Sequence, residues 1–354
     1  MWASGTRFVP HSDPSASGDG PSQGAVPSAL HRNARDARRA EADRDARRMR
    51  RPAPLPEGLG TEFSVSSGLD AGLSRDRLRA GDLSRPFKGG RVTAMPHGVR
   101  ERALALSPIL RCDQHLSHLT AAALLGMRLP ERRLSRELHV TYRDAQRAMR
   151  RPDVVGHKTN AEAAVTVLVD GLRVSSPLDA WCECAALLSL DELVVMGDGL
   201  VSRRAPAAQL EQLMRAVQAR VGQRGTARLR AALPLIRART DSARETTLRL
   251  TVIRAGFPEP EVNASLRDRR GAVIAHGDLV WPEYRVVLEY EGRQHAEDPG
   301  QFAIDIRRLD DLAEADYRVI RVDRELLAAT ALLSRKIATA LGERGWQPAL
   351  EGSL

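Results

Sequence analysis

The clearest pattern of apolar and polar positions lies in the last third of the chain. Ser242 opens a helix whose apolar stripe runs through Leu248, Val252 and Ala255 and which Gly256 ends. Val262 to Leu266 predicts a strand, Asp268-Arg269-Arg270-Gly271 a turn, and Val273 to Val280 a second strand. Trp281 to Tyr284 turns the chain again, and Arg285 to Glu291 is a third strand. Gln301 to Ala315 has helical periodicity, Tyr317 to Val322 reads as a buried strand, and Asp323 caps a last helix. The predicted order is αβββαβ.

Upstream, Ser74 caps a short helix through Leu78, and Gly90 to Val92 is strand-like. Helices are predicted over Val99 to Leu110 and Thr120 to Leu125, with short strands at Glu137 to Tyr142 and Gly171 to Val174. Ser176-Pro177 opens another helix through Leu188, and Ser189 starts the next. From Pro206 to Arg239 the pattern is helical, with Leu210, Leu213, Met214, Val217 and Val221 on one face. The expected class is α/β, α+β overall. Its parts are a leader over 1–65, a small α+β module over 66–205, a helical connector over 206–240 and a domain over 241–354.

Residues 1 to about 60 are rich in Ser, Gly, Pro and Ala, then in Arg and Asp, with almost no large apolar side chains to bury. Such a segment has too little to set against ordering entropy, so it is expected to be disordered. The start has no apolar run of a secretory signal and no segment approaches the roughly 20 apolar residues of a membrane span, which predicts a cytoplasmic protein without membrane partners. Cys112, Cys182 and Cys184 are read as reduced and structural. The net charge of +9 suits a nucleic-acid partner, yet it is almost all Arg, with Lys only at 88, 158 and 336. Basicity therefore permits nucleic-acid binding without demanding it. There is no internal repeat and no glycine-rich phosphate loop.

Candidate chemistry sits on the predicted hairpin. If Trp281 lies opposite Tyr284, Asp278 faces Val287, and Glu289 is two residues beyond on the same side of the sheet, roughly 7 to 8 Å away. Glu291 shares that parity. Gathered carboxylates raise one another's pKa, and a divalent ion such as Mg²⁺ or Mn²⁺ on Asp278 and Glu289 would compensate; pairing with Arg285, Arg293 or Arg321 is the alternative. Glu245 faces the sheet from the first helix, but Ser242-Ala243-Arg244-Glu245 also has the form of a capping box, and both readings stay open. His118 and His139 are read as structural.

The order αβββαβ, with Asp278 followed by Glu289-Tyr290-Glu291-Gly292, resembles the PD-(D/E)xK nuclease superfamily. The string from Asp278 to Gly292, with His295, Asp305, Arg308 and Arg321, is similar to a bacterial domain related to very short patch repair endonucleases. The resemblance implies metal ligation by Asp278 and Glu289, proton transfer by His295 or Glu291, a site acid at Glu245, and bracing or phosphate contact by Arg308 and Arg321. Glu291 stands where the superfamily usually has Lys, whose charge an acid does not supply. Leu73 to Leu78, Ser117 to Gly126 and Gly171 to Val174 resemble an AbiEi-type antitoxin-like region with partial winged-helix character. Two functions follow as expectations: a metal-dependent endonuclease hydrolysing DNA, RNA remaining open, or an antitoxin-like DNA-binding regulator with a degenerate nuclease domain.

Overall fold

The computed structural model describes residues 52–134, 137–143, 151–159, 166–291 and 308–348. The chain divides into two units, Met1–Pro54 and Leu55–Leu354. All the elements below belong to the second; residues 1–51 of the expected leader lie outside the described residues, whereas 52–65 are described and include the strand Glu62–Ser64 with buried Phe63.

A small antiparallel pair, β1 (Glu62–Ser64) with β2 (Gly90–Val92), brackets α1 (Val65–Asp70). Ser64 caps that helix by accepting the Ser67 N–H. The predicted helix ending at Leu78 is instead a single 3₁₀ turn at Arg77–Arg79, whose first N–H goes to Ser74 Oγ at 3.1 Å. There follow α2 (Val99–Leu106), β3 (Gln114–Leu116), α3 (His118–Leu124), β4 (Leu138–Arg143), β5 (Val154–Thr159), β6 (Thr166–Val169) and β7 (Leu172–Ser175). Strands β3, β5 and β6 were not read from the sequence. The five strands form one sheet in the order β5-β4-β3-β7-β6.

One face of this sheet is apolar: Leu116, Leu138, Val140, Val154 and Val174 pack against Ala103, Leu106 and Ala121. The other face carries His115, Ser117, His139, Thr141 and Ser175, also buried. Alternation along β4 therefore does not divide core from solvent, because both faces are buried; on the polar side Glu183 of α4 (Pro177–Cys184) accepts from Ser175 Oγ and from the His118 N–H. Ser176 caps α4 with Pro177 in its first turn, as the sequence leads one to expect, and Ser189 caps α5 (Leu190–Leu200) in a reciprocal bond with Glu192.

Helices α6 (Leu210–Ala219) and α7 (Thr226–Ala232) occupy the stretch read as a connector. Their apolar residues Leu213, Val217, Leu229 and Ala232 share a core with Trp181, Leu193 and Met196. Helix α8 (Ala243–Arg254) is buried on two sides. Leu250 joins that same core, while Leu248 and Val252 pack on the C-terminal sheet; Ala255, expected on the stripe, is exposed. Gly256, at φ 83°, ends the helix in the left-handed region.

The C-terminal elements are β8 (Glu261–Arg267), β9 (Val273–Trp281), β10 (Val286–Tyr290), α9 (308–314), β11 (Arg318–Val322), α10 (Arg324–Ala328) and α11 (Thr330–Gly342). The sheet order is β11-β10-β9-β8, with β10 and β11 parallel and the rest antiparallel. One face packs against α8 and α11 through Leu279, Trp281, Leu288 and Ile337; the other takes Leu312 of α9 against Val280 and Val287. The architecture is α+β, with helices and mixed sheets throughout. Among the described residues no helix is long and apolar enough to cross a membrane.

Candidate functional site

The hairpin that carries the acids is built two residues differently from the sequence reading. Pro282–Tyr284 forms a 3₁₀ turn and Arg285 takes φ 50°, so Trp281 pairs with Val286 and not Tyr284. Pairing continues through Val280–Val287 and Leu279–Leu288 and then stops. A shift of two preserves parity, so Asp278 falls in line with Glu289 itself instead of lying on its diagonal. Where the ladder would continue, the Tyr290 N–H donates to Asp278 Oδ2 at 2.8 Å. The strands part at this residue.

The neighbouring strand breaks at the same level. Asn263 adopts φ 47° and is skipped between the pairs Val262–Leu279 and Ala264–Gly277. Val262 packs with the α8 side and Ala264 and Leu266 with the α9 side, so the chain changes face at Asn263. Gly277 is required here, since a Cβ would come within 2.6 Å of Val287 Cγ1.

Glu245 is buried, and its role as a cap is only half of what the sequence suggests. Ser242 Oγ does accept the Glu245 N–H, but Glu245 Oε2 accepts from the Asp241 N–H and from Asn263 Nδ2, both at 2.8 Å. The carboxylate thus ties the start of α8 to the break in β8. Burial pushes the Asp278 carboxyl up to about 6; the Tyr290 N–H opposes that rise, Glu245 and Glu289 add to it, and Arg308 lowers it. Two carboxylates therefore act on Asp278 at the break: Glu245 from the helix side, and Glu289.

Glu291 departs from the expected trio. It follows the end of β10, its N–H bonds to Val322 O, and its carboxylate pairs with Arg321. Glu289 pairs with Arg308, whose guanidinium also donates to His276 O at 2.6 Å. The arginines expected to meet phosphate therefore have intramolecular acidic partners. His295 and Asp305 lie outside the described residues. Among the described residues no three acids come close enough to share an ion, which leaves Asp278 and Glu289 as the pair that could hold Mg²⁺ or Mn²⁺ with water completing its shell.

Grooves border the sheet at both edges. Along β8 one of about 670 Å³ is of mixed charge, lined by Arg239 and Arg267, by Glu261 and by the Arg237–Glu259 pair, and along β11 a cationic one of about 580 Å³ is lined by Arg318, Arg321, Arg335 and Lys336.

A second cluster joins His118 and His139, both expected from the sequence to be structural, to His157. The three rings stack, with His139 Nδ1 and His157 Nε2 2.8 Å apart. Burial first, and then the neighbouring imidazoles, lower His118 to about 2; His139 falls to about 4 through burial and His157, and His157 to about 4 through burial and Arg224. His157 carried no signal of its own in the sequence.

No family model matches the chain, and no solved structure matches it. The chain is similar to two uncharacterized proteins of Mycobacterium tuberculosis, one from strain CDC 1551 / Oshkosh and one from strain H37Rv. Each is 28% identical over 130 residues, which cover 37% of this chain and 46% of the relative. The matched stretch is thus less than half of those proteins, and their similarity brings no activity with it.

Proposed function

We propose that the C-terminal segment is a metal-dependent phosphodiesterase of the PD-(D/E)xK kind, acting on DNA. The observation that carries the reading is Asp278: a largely buried carboxyl held at the point where two strands part, in line with Glu289 and backed by Glu245. Asp278 and Glu289 would hold Mg²⁺ or Mn²⁺, which when bound polarises water and offsets charge on the phosphate. The Tyr290 N–H fixes one oxygen of Asp278, and the other would serve as the ligand to the ion. Asn263 and the Asp241 N–H hold Glu245 in place behind it. Arg321 brings a cation near the place where the superfamily has Lys, and the cationic groove along β11 is suited to a polyanion.

A second reading rests on the two ion pairs. Glu289 with Arg308 and Glu291 with Arg321 are internally neutralised, as expected of a DNA-binding regulator whose nuclease fold has lost its chemistry. Nicking of supercoiled plasmid by the full chain separates the two, with Mg²⁺ or Mn²⁺ and with an Asp278→Asn control. Metal-dependent nicking lost in the variant supports the enzyme. DNA binding without nicking supports the regulator, and cleavage of RNA alone would move the substrate.

A further inference from the structure

We infer that His118, His139 and His157 form a binding site for a transition-metal ion of the Zn²⁺ class, separate from the carboxylate site. The three side chains come from the first residue of α3, from β4 and from β5. Parallel pairing sets His139 opposite Val155 and His157 opposite Thr141, so the two lie on one face two residues apart. Each imidazole offers a nitrogen, and these lie within 4.8 Å of one another. Zn–N bonds of about 2.0–2.1 Å in tetrahedral geometry separate ligand nitrogens by roughly 3.3–3.4 Å. The 2.8 Å between His139 Nδ1 and His157 Nε2 must therefore open by about half an ångström, and the stacked rings, His118 and His157 with centroids 3.6 Å apart, must turn about their side-chain bonds so that the nitrogens converge on the ion.

The surroundings favour a site over a chance stack. His118 is held at φ 50°, a backbone region that non-glycine residues seldom adopt, and its N–H donates to Glu183 Oε2 at 3.0 Å. Ser175 donates to the same carboxylate oxygen at 2.9 Å, and that oxygen is 3.8 Å from His118 Nδ1. The carboxylate thus supplies negative charge beside the ring nitrogens. Buried Ser117, Thr141 and Ser175 complete a polar sheet face where apolar packing would be the cheaper filling. Three imidazoles without a thiolate suit Zn²⁺, Ni²⁺ or Cu²⁺, whereas Mg²⁺ prefers oxygen ligands. Three protein ligands also leave a fourth position open to water or an anion, as in catalytic zinc centres.

The test uses the full chain without a histidine tag, stripped with chelator and titrated calorimetrically with Zn²⁺, with Co²⁺ absorption as a second readout. One ion per chain is expected, and His139→Gln with His157→Gln should weaken it by more than about 100-fold. Asp278→Asn should leave Zn²⁺ binding unchanged, so failure here and failure of the phosphodiesterase reading are told apart. Absence of stoichiometric Zn²⁺ binding to the wild type overturns the inference, as does equal binding by the double variant. Should that variant not fold, X-ray absorption on the zinc-loaded wild type decides: imidazole scattering from several rings supports the site, and its absence removes it.

Discussion

Asp278→Asn isolates what the candidate site demands of the fold. In the folded protein the carboxyl is pushed up to about 6 from an ordinary value of 3.8, with burial the largest cause and Glu245 and Glu289 adding to it. A group whose folded value is raised binds its proton more tightly when folded, so its ionisation opposes folding. The penalty is absent below about pH 4, grows as pH rises, and is complete above about pH 6. At about 1.36 kcal/mol per pH unit, the gap between 3.8 and about 6 amounts to about 3 kcal/mol as an upper bound. Asn is neutral at every pH and retains an oxygen to accept the Tyr290 N–H. Urea unfolding in the presence of chelator should therefore show the variant more stable than wild type by about 2–3 kcal/mol near pH 7.5 and nearly equal to it near pH 4. A variant less stable at neutral pH, or one offset equally at both pH values, would refute the argument. Under the enzyme reading the same substitution should also abolish metal-dependent nicking, a trade of activity against stability.

Other outcomes follow from buried charge and close packing. Asp198 accepts from Arg249 Nη2 at 2.9 Å, Thr246 Oγ1 at 2.8 Å and the Arg237 N–H at 2.7 Å, and Asp198 and Arg249 are both fully buried. Asp198→Ala should cost about 3–5 kcal/mol in urea unfolding, with much of it recovered by adding Arg249→Met; a loss below about 1 kcal/mol would mean that the pair does not join α5 to α8 as described. Arg133 holds the Glu192 carboxyl down to about 2, with the Ser189 N–H assisting. A depressed value stabilises above the ordinary 4.5 and the benefit fades as pH falls toward about 2, so Glu192→Gln should destabilise by about 1.5–3 kcal/mol at neutral pH and converge with wild type in acid. Gly277→Ala places a methyl 2.6 Å from Val287 Cγ1 and 2.9 Å from Val280 Cγ2, and thermal melts should register about 1–3 kcal/mol of overpacking. Arg308→Ala removes one cationic partner of Glu289; tighter Mg²⁺ binding by calorimetry is expected under the enzyme reading, and no change under the regulator reading.

Local signals were sufficient where the chemistry is local. Ser176-Pro177, Ser189, Ser242 and Asp323 all cap the helices they were read to open, because a cap needs only a side-chain oxygen three residues before an unpaired N–H. The apolar runs bounded by turns that become β8, β9 and β10 were equally visible, and so was the parity that aligns Asp278 with Glu289. The register was not, since it depended on Arg285 accepting a left-handed conformation that lengthens the turn.

Order, caps and side-chain parity are thus set by residues within a few positions of one another, and the sequence alone determines them. Which face is buried, which acids meet and which histidines gather depends on segments far apart along the chain. Glu245 reaches Asn263, Arg308 claims Glu289, Arg321 claims Glu291, Glu183 of α4 reaches Ser175 on the polar sheet face, and His118, His139 and His157 converge from three elements. Only the tertiary structure decides these, because each joins partners that no local period relates.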